Sequence, residues 1–91
     1  MNNTFLIDFE TTGLNPYHDE IIEFAIKKYN DVSHIQSLVK PNKTFLIPPK
    51  ITEITGITTQ MIFEGQNVVD SIVATEIMFN YLMRLFNWKK N

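Results

Sequence analysis

Two carboxylates set two residues apart, Asp8 and Glu10, close the apolar run Phe5-Leu6-Ile7, and the turn Thr11-Thr12-Gly13 follows at once. A short continuous apolar stretch reads as a buried strand, and spacing by two on a strand sends both carboxylates to the same face, about 7 Å apart along the backbone. At an effective dielectric of about 20, two unit charges at that separation repel by roughly 2.4 kcal/mol. Something positive has to compensate. A divalent cation with oxygen ligands does so, and Mg²⁺ or Mn²⁺ on carboxylates is a common device for phosphodiester hydrolysis. Gly13 adds permissive backbone, which lets amides of the turn approach a substrate closely. Taken alone, the pair is equally a solvated acidic edge.

The rest of the chain divides by its turn signals. Residues 4–10 read as a first strand, and Asn15-Pro16 marks the loop after it. A second strand covers 21–29, Asn30-Asp31 suits a hairpin turn, and a third strand covers 33–39. A proline-bounded loop, 41–49, carries Phe45-Leu46-Ile47, which has to pack somewhere. Pro49 at a first turn opens a short helix that Gly56 ends. Thr58 or Thr59 caps another single turn reaching Ile62. Asn67 is the expected N-cap of a long helix to about residue 87, with Asp70 near its start and Lys89-Lys90 near its end to suit the dipole. Val69, Ile72, Val73, Glu76, Ile77 and Asn80 give that helix an amphipathic pattern. Phe79, Tyr81-Leu82-Met83, Leu85-Phe86 and Trp88 then leave apolar residues on most sides, a pattern that expects burial on more than one face.

Composition removes several function classes. The 91 residues contain no cysteine, so disulfides and zinc-thiolate sites are out, which fits an intracellular, cytoplasmic chain. The N-terminal apolar run is short and broken by Asp8 and Glu10, so no signal peptide is expected. No stretch is long and apolar enough to span a bilayer. A net charge of −2 argues against a broadly basic nucleic-acid surface, although bound metal ions and a few local lysines can still hold phosphate. One small domain over 1–91 is the expectation.

The run Ile7-Asp8-Phe9-Glu10-Thr11-Thr12-Gly13-Leu14-Asn15 resembles the first motif of the DEDD 3′→5′ exonucleases. Asp19-Glu20-Ile21-Ile22-Glu23-Phe24-Ala25 looks like that family's second strand, and Ile51-Thr52-Glu53-Ile54-Thr55-Gly56-Ile57-Thr58 resembles its short helix ending in Gly-Ile-Thr. Within the family the likeness is to the exonuclease domain inside the Gram-positive replicative DNA polymerase III, where Val68-Val69-Asp70 also has a counterpart. The order and spacing of three segments carry the resemblance, from about residue 4 to about residue 70.

The resemblance implies an α/β fold: a ribonuclease-H-like exonuclease fold, truncated to a three-stranded antiparallel meander with short helices and one long C-terminal helix. It implies Asp8 and Glu10 as catalytic metal ligands for Mg²⁺ or Mn²⁺, with Asp8 bridging two ions. Thr11, Thr12 and Gly13 then lie near the 3′ end of a DNA strand, or of RNA. It also implies a shortfall. The family needs four acidic ligands and a histidine or tyrosine for the attacking water, and only the first motif stands here. An isolated monomer is therefore expected to be inactive or nearly so.

The other residues with possible chemistry read more plainly. Glu23 is a third ligand or, as preferred here, a strand-face residue hydrogen-bonded locally. His18 and His34 read as surface residues. Asp70 lies too early, in the expected helix, to be the missing ligand. Phe9 alternates with the carboxylates and is expected in the core, while Tyr17 keeps some chance of stacking on a base. A strand missing beside the first leaves an apolar edge, so self-association or a second polypeptide completing the fold is expected at residues 4–9 and along 79–88. The alternatives to a nuclease piece are a catalytically dead module that binds nucleic acid or protein, and a protein-interaction element.

Overall fold

The computed structural model describes residues 4–15, 17–30, 34–43 and 45–85. Seven elements follow one another: β1 (Phe5–Thr11), β2 (Ile21–Lys28), β3 (His34–Lys40), α1 (Pro49–Thr55), α2 (Thr59–Glu64), β4 (Val68–Asp70) and α3 (Ser71–Leu85). They form one sheet in the order β1-β2-β3-β4. The first three strands are an antiparallel meander and β4 runs parallel to β3. Asn30 takes a positive φ of 63° in the β2–β3 turn, a conformation its short polar side chain tolerates well. Asp31 and Ser33 of the expected hairpin, like Phe86, Trp88, Lys89 and Lys90 of the expected helix end, lie outside the described residues.

Both faces of the sheet carry a core. Leu38 and Val39 are neighbours on β3 and so point opposite ways. Leu38 packs on a cluster of Ile22, Ile47, Ile57 and Ile62, joined by Phe45, Ile51 and Phe63, so α1 and α2 cover that face. Val39 belongs with Phe24, Ile26 and Ala74, joined by Ile77, Met78, Tyr81 and Leu82, so α3 covers the other. A bulge lets β2 serve both. Between Glu10 and Thr11 the pairing on β2 jumps from Glu23 to Ile21, which leaves Ile22 as the extra residue. Alternation breaks there, and Ile22 enters one cluster while Ile21 packs against the other.

The short helices follow their caps. Gly56 ends α1 at φ 80°, with its N–H on the carbonyl of Thr52. Thr58 caps α2, its hydroxyl accepting Met61 N–H at 3.1 Å, and the helix continues past Ile62 to Glu64. The proline-bounded loop packs as it must: Ile47 is buried, and Phe45 meets Phe63 edge to face at 5.7 Å.

Two expectations are corrected. Residues 67–70 do not begin the long helix, since Val68, Val69 and Asp70 form β4 against Leu38, Val39 and Lys40. Two adjacent β-branched valines fit a pleated ladder better than a first helical turn, and α3 starts only at Ser71. The meander therefore has a fourth strand. Phe9 is not in the core either. It sits opposite Phe24 on the α3 face but remains 43% exposed, because the described part of α3 packs mainly over β3 and β4. Leu6 and Ile7 share this exposure at 52% and 49%, so both faces of β1 as well as its outer edge are uncovered among the described residues.

Candidate active site

The site is built on the C-terminal half of β1. Asp8 pairs across the ladder with Ala25, and Glu10 with Glu23, which in turn pairs with Leu38. Asp8, Glu10 and Glu23 therefore share the face that α1 and α2 cover farther along. Asp8 is exposed and Glu10 and Glu23 are half-buried. Directly opposed residues have Cβ atoms about 5 Å apart, so Glu10 faces a like charge across the strands as well as along its own.

Glu23 relieves its part locally. Its Oε2 accepts the Gln36 amide at 3.1 Å, from the diagonal position on β3. Asp8 and Glu10 have no hydrogen bond or ion pair to their carboxylates among the described residues. Two uncommitted carboxylates on one strand face are a fitting donor set for a hydrated, oxygen-preferring cation, since Mg²⁺ keeps several waters and takes one or two carboxylates. They do not make a closed two-metal cage. No group of three His, Cys, Asp or Glu side chains among the described residues is arranged to hold an ion. His18 and His34 are both exposed. His34, on β3 opposite Lys27, lines the same cleft as Asp8, while Asp70 lies on β4 at the far edge of the sheet.

The turn after β1 is tightly organised. The Thr11 hydroxyl donates to the Gly13 carbonyl at 2.6 Å. Thr12 is buried, and its hydroxyl donates to Asp19 Oδ1 at 2.9 Å while accepting Glu20 N–H at 3.0 Å. Thr12 N–H reaches the Glu20 carbonyl at 3.0 Å. Asp19 Oδ2 accepts Asn15 N–H at 2.8 Å, and the Asn15 side chain accepts Tyr17 N–H at 2.9 Å. Gly13 lies hard against the Asp19 carboxylate, where a Cβ would come within 2.5 Å of Oδ2. Its smallness, rather than a positive φ, is what the site uses.

The structure thus keeps Asp8, Glu10, Thr11, Thr12 and Gly13 in one continuous stretch. It commits both threonine hydroxyls to bonds within the turn and its return to β2. Asp19 is the residue that reading the sequence passed over, as merely the start of a strand. The signal was an acid four residues after Asn15, on the return of a short loop.

A family model described as exonuclease matches residues 5–87. The DNA polymerase III PolC-type of Thermotoga petrophila is 41% identical over 76 residues, 79% of this chain and 5% of that protein. That of Mycoplasma genitalium is 42% identical over 83 residues, 87% of the chain and 5% of the protein, and that of Bacillus subtilis 34% over 70 residues, 74% and 5%. The chain thus spans about one twentieth of the length of these relatives. Members of the matched family act on nucleic acid and generally use divalent metals. With its Asp8-Phe9-Glu10-Thr11-Thr12-Gly13 motif on an edge strand and the family match over nearly its whole length, the chain belongs to the DEDD exonuclease family, resembling the exonuclease domain of the PolC-type polymerases.

Proposed function

We propose that the chain is the N-terminal portion of a metal-dependent 3′→5′ exonuclease, acting on the 3′ end of DNA, with RNA as the second candidate substrate. Asp8 and Glu10 are its metal ligands, for Mg²⁺ or Mn²⁺, and the Thr11-Thr12-Gly13 turn receives the end of the strand. Ions held by Asp8 and Glu10 would supply Lewis-acid stabilisation of the phosphodiester and an activated water. The chain's own part is to hold two carboxylates on a sheet face and to set a compact turn beside them. One observation carries the reading: neither carboxylate has a partner among the described residues, although each faces like charge.

The same geometry bears on completeness. Two ligands fall short of a two-metal clamp, so the isolated monomer is inactive or nearly so. The open edge of β1 with Leu6, Ile7 and Phe9 exposed supports pairing with a further strand, from a second copy or another polypeptide segment, which completes the sheet. We place the chain in a cytoplasmic setting beside a replicative polymerase, as in proofreading, and the polymerase relatives support this reading. A catalytically dead module that binds nucleic acid or a partner through the β1 edge and α3 is the second reading. The observation that favours it is the lack of a third ligand beside the pair among the described residues.

The test is degradation of 3′-labelled single-stranded DNA by the purified chain with Mn²⁺, with Asp8→Asn as control. Degradation lost in the variant supports a site completed by association of chains. Mn²⁺-dependent strand binding without degradation, lost in the variant, supports an incomplete nuclease. Metal-independent binding that survives Asp8→Asn supports the dead module and ends the metal assignment.

A further inference from the structure

Asp19 is neither a metal ligand nor part of the turn that directly follows the carboxylates, yet the loop between β1 and β2 depends on it at several points. Its two oxygens take the Thr12 hydroxyl, at the start of the loop, and the Asn15 N–H, at its middle. Its own N–H and that of His18 donate to the Asn15 carbonyl at 2.8 and 3.1 Å. Gly13 leaves the space that the carboxylate fills. One acid group thus ties the end of the catalytic strand, the middle of the loop and the entry to β2 together.

The tip of this loop does the opposite of packing. Leu14 is 99% and Tyr17 91% exposed, although the backbone that carries them is held by the bonds around Asp19 and Asn15. A stiff base with large apolar side chains in solvent is preorganised for a ligand, and preorganisation raises affinity by removing the cost of ordering at the moment of binding.

We propose that Asp19 is a positioning residue that holds residues 12–15 and 17–20, between β1 and β2, in the form that receives the 3′ end of a nucleic acid strand beside Asp8 and Glu10. The proposal rests on the exonuclease reading. When only a fraction of molecules has the loop in its competent form, the apparent affinity falls by that fraction. Asp19→Asn keeps the size of the side chain, but its amide nitrogen cannot accept, so either the Thr12 hydroxyl or the Asn15 N–H loses its partner. Gly13→Ala disturbs the same contact from the other side, since the new methyl meets the carboxylate.

The experiment is fluorescence anisotropy of a 5′-labelled single-stranded DNA with a free 3′-hydroxyl, in Ca²⁺ to prevent turnover, on the wild-type chain and on Asp19→Asn, Gly13→Ala and the double variant. Mn²⁺ affinity is measured in parallel on the wild-type chain and Asp19→Asn. Asp19→Asn should weaken DNA binding about tenfold while leaving Mn²⁺ affinity unchanged. The double variant should be little worse than either single one, because both act through one contact. A merely structural Asp19 would lower the stability of the chain without changing the DNA affinity of its folded fraction, and that result overturns the proposal. Additive losses overturn it as well. A wild-type chain that binds neither Mn²⁺ nor the DNA end overturns the exonuclease reading itself, and the positioning role with it.

Discussion

Replacing Thr12 by valine removes a hydroxyl while keeping the shape of the side chain. The hydroxyl is 8% exposed at the residue level and makes two bonds, donating to the Asp19 carboxylate and accepting from Glu20 N–H. A hydrogen bond to a charged group contributes about 1.5–3 kcal/mol and a neutral one about 0.5–1.5. Water can rehydrate part of what is left, because Asp19 and Glu20 are half-buried. A loss of about 2–4 kcal/mol follows, a large share of the roughly 5–14 kcal/mol that holds a domain of this size. Urea denaturation followed by circular dichroism reads it. With a slope of about 1–1.5 kcal/mol/M the midpoint should fall by about 2 M at unchanged slope. Thr11→Val is the internal control, since its hydroxyl makes one neutral bond to the Gly13 carbonyl and its loss should cost about 1 kcal/mol or less. A Thr12→Val variant within about 0.5 kcal/mol of wild type would refute the reasoning, because the ties around Asp19 would then hold nothing.

Further predictions concern the charges, the edge and the core. Because Asp8 is exposed, its repulsion with Glu10 falls from the 2.4 kcal/mol of a partly buried pair to about 0.6 kcal/mol in a water-like dielectric. Asp8→Asn and Glu10→Gln should each raise metal-free stability by a few tenths of a kcal/mol at low salt, less at high salt, and lower stability in either would contradict the picture of uncompensated charge. Ile7→Lys should abolish concentration-dependent association in sedimentation velocity, whereas a wild-type chain that stays monomeric at high micromolar concentration would end the edge-pairing claim. Ile26→Ala, at 1% exposure under α3, should cost about 2–5 kcal/mol by thermal or urea unfolding, and a cost below about 1 kcal/mol would mean that α3 does not cover that face.

Much of the fold was legible in local chemistry. Glycine and proline marked α1 at both ends, the Thr58-Thr59 pair marked α2 without deciding which residue caps it, and the apolar runs separated by Asn30 and its neighbour marked the meander. The misreadings have physical causes. Residues 67–70 fit both a capped helix start and a short strand, and only the tertiary neighbour decides, with β3 offering Leu38 and Val39 as partners. Phe9 alternates with the carboxylates and so faces the α3 side, but alternation fixes a direction and not whether anything lies in that direction. That Asp8 and Glu10 share a face of β1 was readable because spacing by two survives any strand register. The role of Asp19 was not, because it depends on a loop folding back so that residues 12, 13, 15 and 19 meet, and no periodicity announces such a contact.

The most direct test of the central claim, that Asp8 and Glu10 together hold a divalent metal, is a Mn²⁺ titration of the chain followed by electron paramagnetic resonance, beside Asp8→Asn, Glu10→Gln and the double variant. The account predicts saturable binding, weakened in each single variant and lost in the double. Equal binding in all four proteins would contradict it and leave the pair as an acidic edge.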